Sequence, residues 1–264
     1  MGDVVFHCAD TRMMQFHARS CDAVITDPPY SEHVQGAGKL LSGTSTRAIS
    51  EVDAGFTPIG DRSFTIPDVV RFADVAKRWA LFNCDLESLG AYREANTPRW
   101  VRSGIYIKAR AMPQLSGDRP GNRCEGIAIF HNEGRKRWNG KGTSAFWFVN
   151  PENRKATKHP TGKPLILALR LVDLFTDPGE LVFDPFCGSG AYGIACALLG
   201  RRYVGIDINS EHVQTACARL HKYSTDEKAR SGILDKYEEW KTTKGLQSSG
   251  EEEIADEPLQ AAAQ

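Results

Sequence analysis

Short β-branched runs alternate with longer amphipathic stretches along most of the chain. Positions 4–7 form a brief apolar run that predicts a strand, followed by the polar Ala9, Asp10 and Thr11. Positions 22–26 (DAVIT) predict a stronger strand, because β-branched residues cluster there and Asp27-Pro28-Pro29 stops it abruptly. Positions 67–77 predict a helix, with Val69, Val70, Phe72, Ala73 and Ala76 on one broad face. A strand over 79–83, a helix over about 86–94 and strands over 105–108 and 126–131 follow. Then come an apolar helix over 165–175, a buried strand over 181–184, a helix over about 190–199, a strand over 203–207 and a helix over about 210–222. This alternation predicts an α/β fold, doubly wound, with a mostly parallel sheet and helices on both faces.

Two stretches break the pattern. Positions 31–64 are rich in Gly, Ser and Thr and poor in large apolar residues, so a long mobile loop is expected there. Beyond about Tyr223 the chain turns polar. Positions 245–264 carry five acids and no Lys or Arg, so this end is expected to be disordered and self-repelling.

The 264 residues suffice for one sizeable α/β domain with a small insertion. Net charge is zero, but it is segregated. From Arg99 to Lys163 there are fourteen Lys and Arg against four acids, a net +10, which fits either a phosphate-backbone footprint or a solvated basic face. Seven cysteines contain no C-x-x-C pair, which argues against a zinc site or a disulfide framework and fits a reducing compartment. Neither a signal peptide nor an apolar run long enough for a bilayer is evident, so a soluble, cytoplasmic protein without membrane partners is expected.

Three motifs carry chemistry. Asp27-Pro28-Pro29-Tyr30 falls at the carboxyl end of a predicted strand, where open α/β sheets place ligands. A carboxylate and a backbone carbonyl there can accept both hydrogens of an exocyclic amino group and free its lone pair for attack. Tyr30 offers a ring on which a base taken out of the helix can stack. A plain Asp-Pro-Pro turn with a surface Tyr is the ordinary alternative.

The second motif, Asp184-Pro185-Phe186-Cys187-Gly188-Ser189-Gly190, runs from a buried strand into a helix N-terminus. Residues 188–193 match G-x-G-x-x-G, a weak dinucleotide signal. The Asp184 carboxylate would repel a diphosphate and attract the ammonium and sulfonium of S-adenosylmethionine. Asp207, ending the next strand, is placed to bridge two ribose hydroxyls of either cofactor. The third motif, Lys158-His159-Pro160-Thr161-Gly162-Lys163-Pro164, reads by composition as a helix entry.

DPPY, KHPTGKP and DPFCGSG, in that order over roughly residues 3–220, resemble the β class of DNA amino-methyltransferases, prokaryotic or phage-encoded. The resemblance implies a seven-stranded methyltransferase sheet with one antiparallel strand, in which 4–7 is the third strand and Asp10 lies beside the cofactor's adenine. It implies that His159, Thr161 and Lys163 help hold S-adenosylmethionine and that Asp27, Pro28, Pro29 and Tyr30 hold the target base. It divides the chain into a catalytic half (1–130), a short target-recognition insertion (131–157), a cofactor half (158–223) and a tail (224–264). Gly162 departs from the family's usual acid or Gln at that place.

The expected activity is methyl transfer to adenine N6 in double-stranded DNA, with Arg135, Lys136, Arg137 and Lys141 on the phosphates and no metal required. A second copy of the chain and a cognate restriction endonuclease are candidate partners. Cytosine N4 remains an alternative target. An NAD-dependent oxidoreductase would leave DPPY and KHPTGKP unexplained, and the intact Asp27, Tyr30, Asp184 and Asp207 count against a non-catalytic DNA-binding relic.

Overall fold

The computed structural model describes residues 1–29, 65–108, 120–151 and 162–243. The expected 31–64 loop, Tyr30, His159, Thr161 and the acidic end from 244 onward lie outside them.

Among the described residues eight strands build one sheet: β1 (Val4–Cys8), β2 (Cys21–Thr26), β3 (Ala76–Cys84), β4 (Trp100–Lys108), β5 (Cys124–His131), β6 (Phe146–Val149), β7 (Leu181–Asp184) and β8 (Arg202–Asp207). Their spatial order is β1-β8-β7-β2-β3-β5-β4-β6. Among the described strands only β5 runs against its neighbours, pairing antiparallel with both β3 and β4. The mostly parallel sheet and its single reversed strand match expectation. The eighth strand, β6, does not: it joins the edge beside β4, inside the stretch expected to form an insertion.

Helices cover both faces. On one, α3 (Leu165–Phe175), α4 (Ala191–Leu198), α5 (Ser210–Thr225) and α6 (Glu227–Thr243) surround a core of Ile25, Trp79, Leu81, Ile127, Leu169 and Tyr203. On the other, α1 (Ile66–Val70) and α2 (Leu89–Ala95) pack with Val24, Phe72, Phe82, Phe130 and Phe183. Adjacent strand residues point to opposite faces, so Leu81 and Phe82 serve different cores.

Two expectations are corrected. The helix predicted over 67–77 is one capped α-turn, with Thr65 and Asp68 forming a capping box, followed by a 3-10 segment over Arg71–Val75. Ala76 and Lys77 already belong to β3, whose pairing with β2 outweighs their helical spacing. The polar stretch after Tyr223 is not structureless throughout. It contains the 17-residue α6, held down by Tyr237, whose hydroxyl donates to Asp173 at 2.8 Å, and by Trp240, whose indole N–H donates to the Phe148 carbonyl at 2.9 Å. Two well-placed aromatics anchor a helix whose mean polarity hides them. Among the described residues, no helix is long and apolar enough to cross a membrane.

Candidate active site

The strand order reverses between β7 and β2, because β7 leads through α4 outward to β8 whereas β2 leads the other way to β3. Open parallel sheets leave a crevice at such a switch point, beyond the carboxyl ends of the strands. Asp27 follows β2, Asp184 ends β7 and Asp207 ends β8, so three acids line that rim.

The Asp27 side chain is about a quarter exposed, and its Oδ2 accepts a hydrogen bond from Lys163 Nζ at 2.7 Å. Pro28 beside it is buried. Lys163, just ahead of α3, is almost wholly enclosed and also lies 3.2 Å from Glu125 Oε2. Glu125 in turn meets Lys108 Nζ at 2.6 Å. Burial opposes the charge on Lys163, yet the carboxylates of Asp27 and Glu125 outweigh it and hold the ammonium above the usual lysine range. A residue expected at the cofactor is thus joined directly to one expected at the target base.

Asp184 departs from its expected role. It is 1% exposed, and its oxygens accept from Thr26 Oγ1 (2.6 Å), the Phe186 N–H (3.1 Å) and the Tyr203 hydroxyl (2.9 Å). Burial pushes its carboxyl up to about 7 against those hydrogen bonds. A carboxylate so enclosed ties β7 to β2 and β8, and orders the turn rather than presenting itself to a ligand.

The turn after β7 is held on all sides. The Cys187 N–H donates to the Ile206 carbonyl, the Gly188 N–H to Asp207 Oδ2 at 2.8 Å, and Arg219 of α5 to both the carbonyl and hydroxyl of Ser189. Phe186 packs edge-on against Phe72, and Pro185 is buried. The Cys187 thiol is buried, and burial raises its pKa, which suits packing and not nucleophilic chemistry. Gly190 adopts φ +78°, and a Cβ there would come within 2.7 Å of Ala216 and 2.9 Å of Phe6. This glycine therefore serves the seating of α4 on the sheet as much as any ligand.

Asp207 remains at the rim. Oδ1 accepts from the Asn209 N–H at 2.9 Å and lies 3.2 Å from His212 Nδ1, while Oδ2 receives the Gly188 N–H. Its carboxylate is thereby fixed in orientation, and each acceptor oxygen has more than one lone-pair direction. Asp10, after β1, caps a 3-10 turn and forms a double hydrogen bond with Arg12, which holds its carboxyl below the usual range. The Ala9 N–H donates to the Asp207 carbonyl, so Asp10 and Asp207 are neighbours at the same rim. The rim acids Asp10 and Asp207 fit a cationic, nucleoside-bearing cofactor better than a diphosphate, because the Gly188 N–H is already spent on Asp207 and the Arg219 guanidinium on Ser189.

The basic segment is elsewhere. The Arg137 carbonyl accepts the Trp79 indole N–H, the Arg137 guanidinium pairs with Asp177, and Asn139 binds the carbonyls of Asp173 and Thr176 at the end of α3. Trp79 and its partner His131 lie toward the starting end of β3, whereas Cys84 lies at the end nearest Asp27. At about 3.3 Å per residue, on the order of 17 Å of strand separates the two ends. Arg135, Lys136, Arg137 and Lys141 therefore stand at the opposite edge of the sheet from Asp27. Their charge pattern was real; the antiparallel run of β5 carries them to the far side.

Sequence reasoning missed Glu125, Lys108, Asn83 and Tyr192. Asn83 is fully buried and donates to the Thr26 carbonyl (2.9 Å) and the Tyr192 hydroxyl (2.6 Å), bracing the strand end that carries Asp27. An Asn inside the apolar run WALFNC and an acid at the head of CEGIAIFH were the available signals, since polar groups in buried strands need partners.

A doubly wound sheet thus sets a Pro-braced acid and a glycine turn on opposite sides of its switch point, where open α/β sheets bind ligands. The sequence family described as DNA methylase (N6_N4_Mtase) matches residues 21–218, and the chain belongs to that family. The chain is 40% identical over 75 residues to the DNA adenine methyltransferase YhdJ of Escherichia coli, covering 27% of this chain and 26% of that protein. It is 34% identical over 134 residues to the type II methyltransferase M.XycI of Xanthomonas campestris pv. cyanopsidis, covering 46% and 44%. The matched stretches thus span less than half of these curated relatives. In fold, the chain resembles M1.HpyAVI in its SAM complex (TM-score 0.60, 22% identity, 82% of this chain and 98% of that one). It also resembles the cytosine-N4-specific PvuII DNA methyltransferase (TM-score 0.61, 12% identity, 89% and 93%).

Proposed function

We propose that this protein transfers a methyl group from S-adenosylmethionine to the N6 amino group of adenine in double-stranded DNA, acting on a base turned out of the helix. The observation that carries the reading is Asp27: a Pro-braced carboxylate that follows β2 at the switch-point rim and is held by the buried Lys163. Asp27 and the Pro28 carbonyl accept the two amino hydrogens, which leaves the nitrogen lone pair directed at the electrophile. Tyr30 stacks on the base. Bound S-adenosylmethionine supplies an electrophilic methyl on a positively charged sulfur. Asp207 would hold the ribose hydroxyls, with Asp10 and the 185–190 turn lining the rest of the cofactor site. Asp184 keeps that turn in shape. His159 and Thr161 belong to the same proposal as cofactor contacts.

Adenine is preferred over cytosine because the Escherichia coli relative bears the name of an adenine enzyme and because Asp, not Ser, heads the PPY motif. The type II names among the relatives support a cognate restriction endonuclease, and a homodimer and a cytoplasmic location complete the proposal. The division into a catalytic half, a cofactor half and a recognition segment is kept, with β6 assigned to the sheet. Incubating the protein with unmodified DNA and S-adenosylmethionine, then identifying nucleosides by mass spectrometry, tests the reading. The N6-methylated adenine nucleoside is expected; N4-methylcytosine would redirect the target, and the absence of both would refute the activity.

A further inference from the structure

Four charged side chains of alternating sign run inward from the surface of β4 to the rim of the crevice. Lys108 pairs with Glu125, Glu125 with Lys163, and Lys163 with Asp27, at 2.6, 3.2 and 2.7 Å. Exposure falls from 27% at Lys108 to 12% at Glu125 and 7% at Lys163. Buried charges of this kind are costly unless each is compensated, and here the compensation ends on the acid that the proposed reaction uses.

We infer that Glu125 is a positioning residue whose charge offsets Lys163, so that Lys163 orients Asp27 without cancelling the negative potential that favours a cationic methyl donor. The inference rests on the methyltransferase reading given above. Lys163 fixes Asp27 by hydrogen bond, but a lone ammonium at 2.7 Å would neutralise that carboxylate as seen from the crevice. With Lys108 the four side chains sum to zero, but Glu125 stands one link nearer to Asp27 than Lys108 does, so its charge returns negative potential to the crevice. An amine held by Asp27 must come within about 3–3.5 Å of the methyl carbon to react, so the sulfonium lies within reach of this field. A single charge acting over roughly 10 Å at an effective dielectric near 20 changes affinity on the order of tenfold.

The effect should appear in discrimination between S-adenosylmethionine and S-adenosylhomocysteine, which differ by one methyl group and one positive charge. Calorimetric titration of the full-length chain with each compound gives the ratio of their dissociation constants. Glu125→Gln is expected to shift that ratio against S-adenosylmethionine by about tenfold, and Glu125→Asp to restore most of it. Lys108→Gln, which removes the outer positive charge, is expected to shift the ratio the other way, and less, because Lys108 is more exposed. A merely structural role would weaken both ligands together in every variant. An unchanged ratio in Glu125→Gln, or shifts of the same sign in Glu125→Gln and Lys108→Gln, would overturn the inference while leaving the methyltransferase reading intact. If Glu125→Gln does not fold, Lys108→Gln decides alone: a ratio moved toward S-adenosylmethionine supports the inference and any other result overturns it. Wild-type protein that binds neither compound would overturn the reading of the site and this inference with it.

Discussion

Lys163 Nζ lies 2.7 Å from Asp27 Oδ2, joining a residue just before α3 to the end of β2 across 136 positions of chain. The contact couples the two halves of the site. Lys163 is nearly inaccessible and also meets Glu125, so its removal would leave two carboxylates facing each other in a poorly hydrated place.

Replacing Lys163 with Met should therefore destabilise the fold by as much as about 3–5 kcal/mol, the cost of leaving a buried charge without its counterion. The Asp27 end of the network is a quarter exposed, which places the loss toward the lower figure. Denaturant unfolding of Lys163→Met beside Lys163→Arg checks this. A midpoint unchanged in the Met variant would contradict the coupling.

The C-terminal helix should matter more than its composition suggests. Tyr237 is 1% exposed, and Trp240 donates to the carbonyl of Phe148 in the edge strand β6. Tyr237→Ala should cost about 3 kcal/mol, as large-to-small changes at buried aromatics do. Hydrogen exchange should then quicken first at Phe146–Val149. Exchange that rises only within α6 would show that β6 holds without it.

DNA binding should be indifferent to the basic segment. The triple variant Arg135→Ala, Lys136→Ala, Lys141→Ala is expected to keep both the affinity for DNA and its salt slope, since these residues stand at the sheet edge away from Asp27. A slope reduced by about one per substituted residue would mean that phosphates reach this edge after all.

Asp184 gives a pH signature in stability. Burial raises its folded-state pKa to about 7, well above the 3.8 of a free Asp side chain, so the folded protein binds a proton more tightly than the unfolded chain does. Its contribution is therefore most favourable at low pH and is lost as pH rises from about 4 to 7. The destabilisation caused by Asp184→Asn should accordingly be larger at pH 5 than at pH 8. Equal losses at both would mean that Asp184 stays ionised throughout.

Where the sequence was informative, the cause was local. The strands at 22–26 and 181–184 and the helix at 165–175 are dense in apolar residues and sharply ended by Pro, Gly or polar residues, and the structure follows them closely. The rim acids Asp27 and Asp207 were legible because each ends such a strand. What stayed hidden depends on partners distant in sequence. Phe146–Val149 is only four residues long and becomes a strand through β4. Glu125 gains its significance from Lys163, and Asp184 loses its expected exposure to Thr26 and Tyr203. The basic segment was placed by charge alone, whereas its location depends on which way β5 runs.

The central claim is that the Asp27 carboxylate steers the amino nitrogen toward the methyl donor. The most direct measurement is the single-turnover rate of DNA methylation by Asp27→Ala, with S-adenosylmethionine affinity determined on the same sample. At least a hundredfold loss of rate is expected, with affinity within a few-fold of wild type. A rate close to wild type at saturating cofactor and DNA would contradict the claim.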